Sequence, residues 1–169
     1  MTKPVSLPAK TRASPRASGL FLDNQLCFAL YATSLAMTKV YRPLLAPLGL
    51  TYPQYIVMLA LWEHGELSAG KLGERVALDS GTLVALIRKL KAQGLVERRR
   101  SPSDDRSVLI SLTPAGVRMS QRAHAVHEHV DCATQCTEAQ AQALMLSLRD
   151  LRTALLDSAA PGARKSASR

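Results

Sequence analysis

The residues of this chain best equipped for covalent chemistry are its three cysteines, and one of them stands apart from the other two. Cys27 lies in LDNQLCFALY, an apolar run with Tyr31 four places on, whereas Cys132 and Cys136 lie in HAVHEHVDCATQC beside His124, His127 and His129. The reactive form of a thiol is the thiolate, and a free cysteine, with a pKa of roughly 8.5, is only a few per cent ionised near neutral pH. Cys27 therefore needs neighbours that favour the charge. The run beginning at residue 21 reads as a helix, which puts Cys27 nearly two turns in, past the reach of the helix dipole. No Lys or Arg lies within one turn of it. Phenol hydroxyls are left as donors, and all four tyrosines, at 31, 41, 52 and 55, fall in the first third of the chain. Tyr31 is one turn along and can lean toward the thiol. Tyr41 is near the same helix face but about 21 Å away by helical rise, so only an antiparallel partner helix can deliver it. The plainer reading is that a cysteine amid Leu, Phe and Ala is a small core residue.

The second cysteine group carries a different chemistry. His124, Glu128, Cys132 and Cys136 recur every four residues, a spacing that stacks ligands on one helical face and can bind zinc. A single straight helix rarely closes four corners of a tetrahedron, and such a stripe is more often a solvated surface. Three cysteines are too few, and odd in number, for a structural disulfide framework, and a cytoplasmic chain keeps them reduced by default.

The elements that position these groups follow from composition and periodicity. With 169 residues, 47% of them hydrophobic, the chain is long enough to bury one sizeable core. The longest apolar run, IVMLALW at 56–62, is too short to span a bilayer, and the first twenty residues hold no apolar signal core. A cytoplasmic protein without membrane contact or cofactor is expected. Of the net charge of +9, residues 1–20 and 158–169 carry seven cations and no acid, leaving only +2 for 21–157. The segments 1–19 and 158–169, rich in Ala, Ser, Pro and cations, read as disordered basic tails flanking a domain at 20–157.

Within that domain, steps of three and four from Leu22 through Leu44 predict a helix over about 21–46, closed by Pro43, Pro47 and Gly49. Thr51 and Gly65 bracket a second helix. Ser68 can cap a short helix to about Val76, and Asp79 or Ser80 another to Gln93, with Gly94 stopping it; two short helices joined by a tight turn fit a helix-turn-helix. LVERRR and RSVLISLT, joined by SPSDD, read as a hairpin. Thr113–Pro114 starts a further helix, and Thr137 with Gln140 is a capping-box pattern ahead of the last one. In that last helix Leu144, Leu148, Leu151 and Leu155 form a heptad-like stripe suited to packing against a second copy. The fold class expected is mainly α with a small β wing: a winged helix-turn-helix at about 52–112 between dimerisation helices at about 21–46 and 114–157.

A helix-turn-helix followed at once by a basic hairpin predicts double-stranded DNA as partner, with the second short helix in the major groove. Residues 71–106 hold nine Lys and Arg against five acids, the local surplus such a partner needs. Ser80 and Thr82 can bond base or phosphate at a helix start whose small residues admit an anion. Arg88, Lys89 and Arg99 would hold the backbone, with Asp104 in the wing turn and Arg106 reaching a minor groove. The helix start has no Asn, Gln or Arg, so strong bidentate base readout is thin.

LDNQLCFALYATSLAMTKVYRPLLAPLGLTYPQY, LDSGTL and RRSPSDDRSVLISLTPAG together resemble the MarR-type winged-helix repressors, and the first of them their organic-hydroperoxide-sensing, two-cysteine branch. The resemblance covers about 20–157. It implies a homodimer that leaves a pseudo-palindromic operator when an organic hydroperoxide oxidises Cys27 to a sulfenic acid. It also implies that Tyr41 and Tyr52 reach that thiol from the other subunit, and that Cys132 of the partner traps it as a disulfide. Cys136 is a weaker match, and a small cellular thiol is a further possible trap. No catalytic or metal-binding residue is implied. The rival readings are a MarR-type repressor answering to a lipophilic or phenolic ligand, a zinc-sensing regulator and a thiol peroxidase.

Overall fold

The computed structural model describes residues 18–100, 102 and 107–159. Two short 3-10 turns, Ser18–Leu20 and Leu22–Asn24, precede α1 (Leu26–Leu45), which leads through a third turn, Ala46–Leu48, to α2 (Tyr52–His64). Strand β1 (Glu66–Ser68) runs into α3 (Ala69–Val76) and α4 (Ser80–Ala92); the hairpin β2 (Val96–Arg100) and β3 (Val108–Leu112) is followed by α5 (Pro114–Thr134) and α6 (Glu138–Ala159). This is the mainly helical, small-winged architecture expected. Of the expected tails, only residues 18, 19, 158 and 159 are among the described ones.

The core gathers around α2, which buries Tyr55, Val57, Met58, Ala60 and Leu61 and so is covered on nearly all sides. Leu72 of α3, Leu83, Ile87 and Leu90 of α4, Ile110 of β3 and Ala123 and Val126 of α5 complete it. The one buried polar side chain among the described residues, Gln54, accepts from the Thr51 backbone N–H at 2.8 Å and its hydroxyl at 3.0 Å, closing the N-terminus of α2 with a capping box. Local capping decides the neighbouring elements too. Ser68 accepts from the Lys71 N–H at the start of α3 and Asp79 from the Thr82 N–H at the start of α4. Thr113 accepts from Gly116 N–H at α5 while its hydroxyl donates to Gly94 carbonyl, tying the wing's exit to the end of α4. Thr137 and Gln140 exchange the expected reciprocal bonds.

Three expectations need correction. The first helix begins at Leu26, because Gln25 is extended (φ −94, ψ 116) and its side-chain amide donates to the carbonyls of Gly19 and Phe21, holding the preceding 3-10 turns. Pro43 does not end α1 but lies inside it, and the chain turns only at Gly49, where φ is +68. The wing is three-stranded: β1 pairs antiparallel with β3, giving the order β1-β3-β2 with Leu67 opposite Ile110 and Arg98 opposite the same residue from the other side.

Packing is uneven along the chain. α1 buries only Leu45 and leaves Leu26, Tyr31, Leu35 and Val40 exposed. α6 buries none of its residues, and Leu144, Leu148 and Leu155 of the predicted stripe are exposed, with Leu151 half-buried. Among the described residues no single helix is long and apolar enough to cross a membrane.

Candidate nucleic-acid interface and thiol site

α4 is held in place by Leu83, Ile87 and Leu90, which leaves Ser80, Gly81, Thr82, Ala85, Arg88 and Lys89 exposed, as the periodicity predicts. Its start differs from the anion cradle expected. The Asp79 carboxylate accepts the Thr82 N–H at 2.9 Å and the Thr82 hydroxyl at 2.6 Å, and these bonds hold its carboxyl below the usual range. The helix's positive end is thus already occupied by an internal anion, and Thr82 donates inward. Cations instead gather toward the other end. Arg88, Lys91 and Arg98 line a cleft of about 310 Å³ between α4 and the wing. Arg99 is engaged elsewhere: its guanidinium donates to both carboxylate oxygens of Glu66, at 2.8 to 3.0 Å, bridging β2 to β1. Asp104 and Arg106 lie outside the described residues.

Cys27 is exposed on the single chain, so it is not part of that chain's own core. With α1 starting at Leu26, it stands in the first helical turn rather than two turns in. Backbone N–H groups of that turn have no intrahelical acceptor, the N-cap Gln25 makes no side-chain cap bond, and no acid stands nearby in the turn. The helix terminus discounted on sequence grounds is therefore present at the thiol. Tyr31, one turn on, is 61% exposed.

The other tyrosines assemble at the opposite end of α1. Tyr41 stacks on Tyr52 with ring centroids 4.6 Å apart and on Tyr55 at 5.6 Å, and Tyr55 meets Trp62 edge-on at 6.1 Å. Burial, with smaller contributions from Tyr52, Tyr55 and Asp131, pushes the Tyr41 phenol up to about 12; burial likewise raises Tyr52 and Tyr55. All three stay protonated donors at neutral pH. The sequence points to Tyr55 only as one of four phenols, and Trp62 was not singled out; the aromatic spacing of TYPQYIVMLALW was the available signal. Within one chain the cluster is about 21 Å from Cys27 along α1.

Cys132 is exposed within the last turn of α5, and its neighbour Asp131 acts on Tyr41. Cys136 follows Gln135, whose φ of +53 turns the chain out of the helix, so Cys136 leaves the ladder of His124, Glu128 and Cys132. His127 faces Asp131 at 3.4 Å and His129 bonds the Ala125 carbonyl. Among the described residues no three such side chains converge as metal ligands would, so the zinc reading has no geometry behind it. Beside the tyrosines, α2 and α5 enclose a cleft of about 360 Å³ lined by Tyr41, Tyr55, Leu59, Trp62, Ser120, Ala123, His124 and His127.

Comparison with known proteins places this arrangement. Residues 39–122 match the family model described as transcriptional regulator SarA/Rot. The chain is 54% identical over 102 residues to the organic hydroperoxide resistance transcriptional regulator of Bacillus subtilis, covering 60% of this chain and 69% of that one. It is 37% identical over 137 residues to the regulator SarZ of Staphylococcus epidermidis, covering 81% and 93%. Among solved structures, AbfR of Staphylococcus epidermidis superposes with a TM-score of 0.69 at 31% identity, covering 85% of this chain and 99% of that one. AbfR has also been solved bound to DNA in a reduced state, with a TM-score of 0.67 at 30% identity over 83% of this chain and 99% of that one. An exposed capped helix beside a basic wing, set on the same fold and with this degree of identity, has one assignment: the chain belongs to the MarR-like winged-helix transcriptional regulators of the SarA/Rot type.

Proposed function

We propose that the protein is a homodimeric repressor that releases its operator when an organic hydroperoxide oxidises Cys27, with residues 20–157 as the working unit. The observation that carries this reading is the separation of an exposed, helix-terminal thiol from three stacked, protonated phenols by the length of one helix. A second copy laid antiparallel along α1 closes that gap, bringing Tyr41 and Tyr52 of one protomer to Cys27 of the other. The exposed apolar residues of α1 and α6 supply the surface for such a pairing. Backbone N–H groups of the first turn and phenol O–H groups are the kinds of donor that stabilise negative charge on sulfur.

The thiolate of Cys27 attacks one peroxide oxygen, forming an S–O bond as the O–O bond breaks, and the alkoxide leaves as an alcohol after taking a proton. The sulfenic acid then yields a disulfide when the partner's Cys132 thiol displaces water. A hundredfold loss of operator affinity needs only about 2.7 kcal/mol, within reach of a small change in the spacing of two α4 helices. The similarity to an organic hydroperoxide resistance regulator, and to AbfR, which has been solved in reduced, overoxidised and disulfide-formed states, supports the redox reading.

The test is a footprint on a palindromic operator with wild type, Cys27→Ser and Cys132→Ser, each with and without tert-butyl hydroperoxide. Cys27→Ser is expected to stay bound under oxidant, and Cys132→Ser to release and then over-oxidise. Release of Cys27→Ser as readily as wild type would sink the sensor assignment. The aromatic cleft at Tyr41, Tyr55, Trp62 and His124 favours a second reading, a lipophilic or phenolic inducer. An induction that survives Cys27→Ser but not Trp62→Ala selects it. Sustained peroxide turnover with a dithiol reductant, rather than one oxidation per subunit, would favour the thiol peroxidase instead.

A further inference from the structure

The outward surface of α4 presents an exposed apolar side chain. Val84 is 55% exposed, although Leu83 before it and Ile87 three places on are buried. It shares a row of helix surface with Ser80 and Arg88, at steps of four. The cleft it lines beside the wing holds Arg88, Lys91 and Arg98 and no acid, whereas the cleft it lines on the side of α6 holds Glu74, Arg152 and Leu156. What covers Val84 from the wing side must tolerate three cations at close range; an apolar face of another protein leaves them desolvated, whereas a polyanion pairs with them.

Hydrogen-bonding readers on this helix are few. Thr82 donates its hydroxyl to Asp79, and no Asn or Gln stands among the exposed residues from 80 to 89. Along the row, a hydroxyl, an isopropyl group and a guanidinium are what a duplex meets. The apolar feature that base pairs show in the major groove is the thymine C5-methyl group.

We infer that Val84 reads thymine methyl groups in the major groove and is a specificity determinant of operator recognition. This rests on α4 entering that groove, as the DNA-binding reading holds. Arg88, Lys91 and Arg98 set the helix on the backbone, and Val84 selects among sequences by packing against methyl carbon.

The experiment uses the duplex that the wild-type protein selects from a random-sequence pool, remade with deoxyuridine for each thymine in turn, which deletes one methyl and changes no hydrogen bond. Wild type, Val84→Ala and Val84→Thr are titrated against each duplex. One or two positions per half-site are expected to weaken wild type about fourfold, the worth of one buried methyl. Val84→Ala should bind the thymine and uracil forms of those positions alike. Wild type indifferent to every substitution, or Val84→Ala showing the same uracil penalty as wild type, overturns the inference while leaving DNA binding intact. Failure of wild type to enrich any sequence overturns the placement of α4 as well.

Discussion

The winged helix-turn-helix and the long helices around it are built to different degrees of completion. In the first, Met58, Leu61, Leu72, Leu90 and Ile110 are essentially removed from water, and the helix starts at Thr51, Ser68 and Asp79 are capped within the chain. In the second, α6 buries nothing, and the first half of α1 leaves a leucine, a tyrosine and another leucine in solvent at 26, 31 and 35. One region is a finished folding unit; the other leaves apolar faces open, which the proposed dimer would cover. Reading α4 needs one chain, whereas reading Cys27 needs two.

The largest effect expected is on the finished side. A Cβ at Gly116 would stand 2.1 Å from the Leu95 carbonyl oxygen, which is backbone and is also the acceptor of the Thr113 N–H. Gly116→Ala should therefore cost about 3 kcal/mol or more in urea unfolding, with both α5 and the wing loosened. An unchanged midpoint would mean that α5 is free to slide.

Next in size, Leu148→Glu with Leu155→Glu should raise the dimer dissociation constant at least about a hundredfold in sedimentation, while the circular dichroism of the helical core persists. If the pair instead unfolded the chain, the contrast between a self-sufficient and a shared region would be wrong.

A smaller effect concerns pH. The folded state holds the Tyr41 proton more tightly than the ordinary 10.0, up to about 12, so the resulting stability is intact below pH 10 and is lost as pH rises through 12. Thermal melts in that alkaline range should fall for wild type and less steeply for Tyr41→Phe. Equal slopes would detach the aromatic cluster from stability.

Smallest of all is Glu66→Gln, which frees Arg99. Both groups are solvent-exposed to a substantial degree, so stability should move by less than about 1 kcal/mol. DNA affinity at low salt should rise about twofold if Arg99 then reaches a phosphate. No rise would leave Arg99 a brace between β1 and β2.

The finished region was the legible one. Thr51, Ser68, Asp79, Gly94 and Thr113 mark helix ends by chemistry contained in a few residues, and the structure places the boundaries beside them. The start of α1 was not legible, because Leu22, Leu26 and Leu30 keep a helical spacing across a turn that an extended Gln25 interrupts. β1 escaped since three residues are too short to show alternation, and its pairing partner lies more than forty residues on. Cys27 was found by type but misplaced by environment, and with that shift the helix terminus moved from irrelevant to adjacent. The Tyr41–Tyr52–Tyr55 stack and the Arg99–Glu66 bridge join separate elements, so no local pattern announces them. Val84 was within reach, since it falls outside the Leu83, Ile87, Leu90 stripe.

The cap on α4 bears on how the protein meets its target. In the proposed DNA complex, the carboxylate seated where an incoming phosphate would otherwise rest would repel the duplex at one tip of α4, and the tip that carries Arg88, Lys89 and Lys91 would attract it. Approach is thereby tilted before any base is touched. A helix lowered basic end first would bring Ser80 and Val84 to the groove floor once Arg88 has met the backbone, so the internal anion would act as a guide that sets the angle of entry.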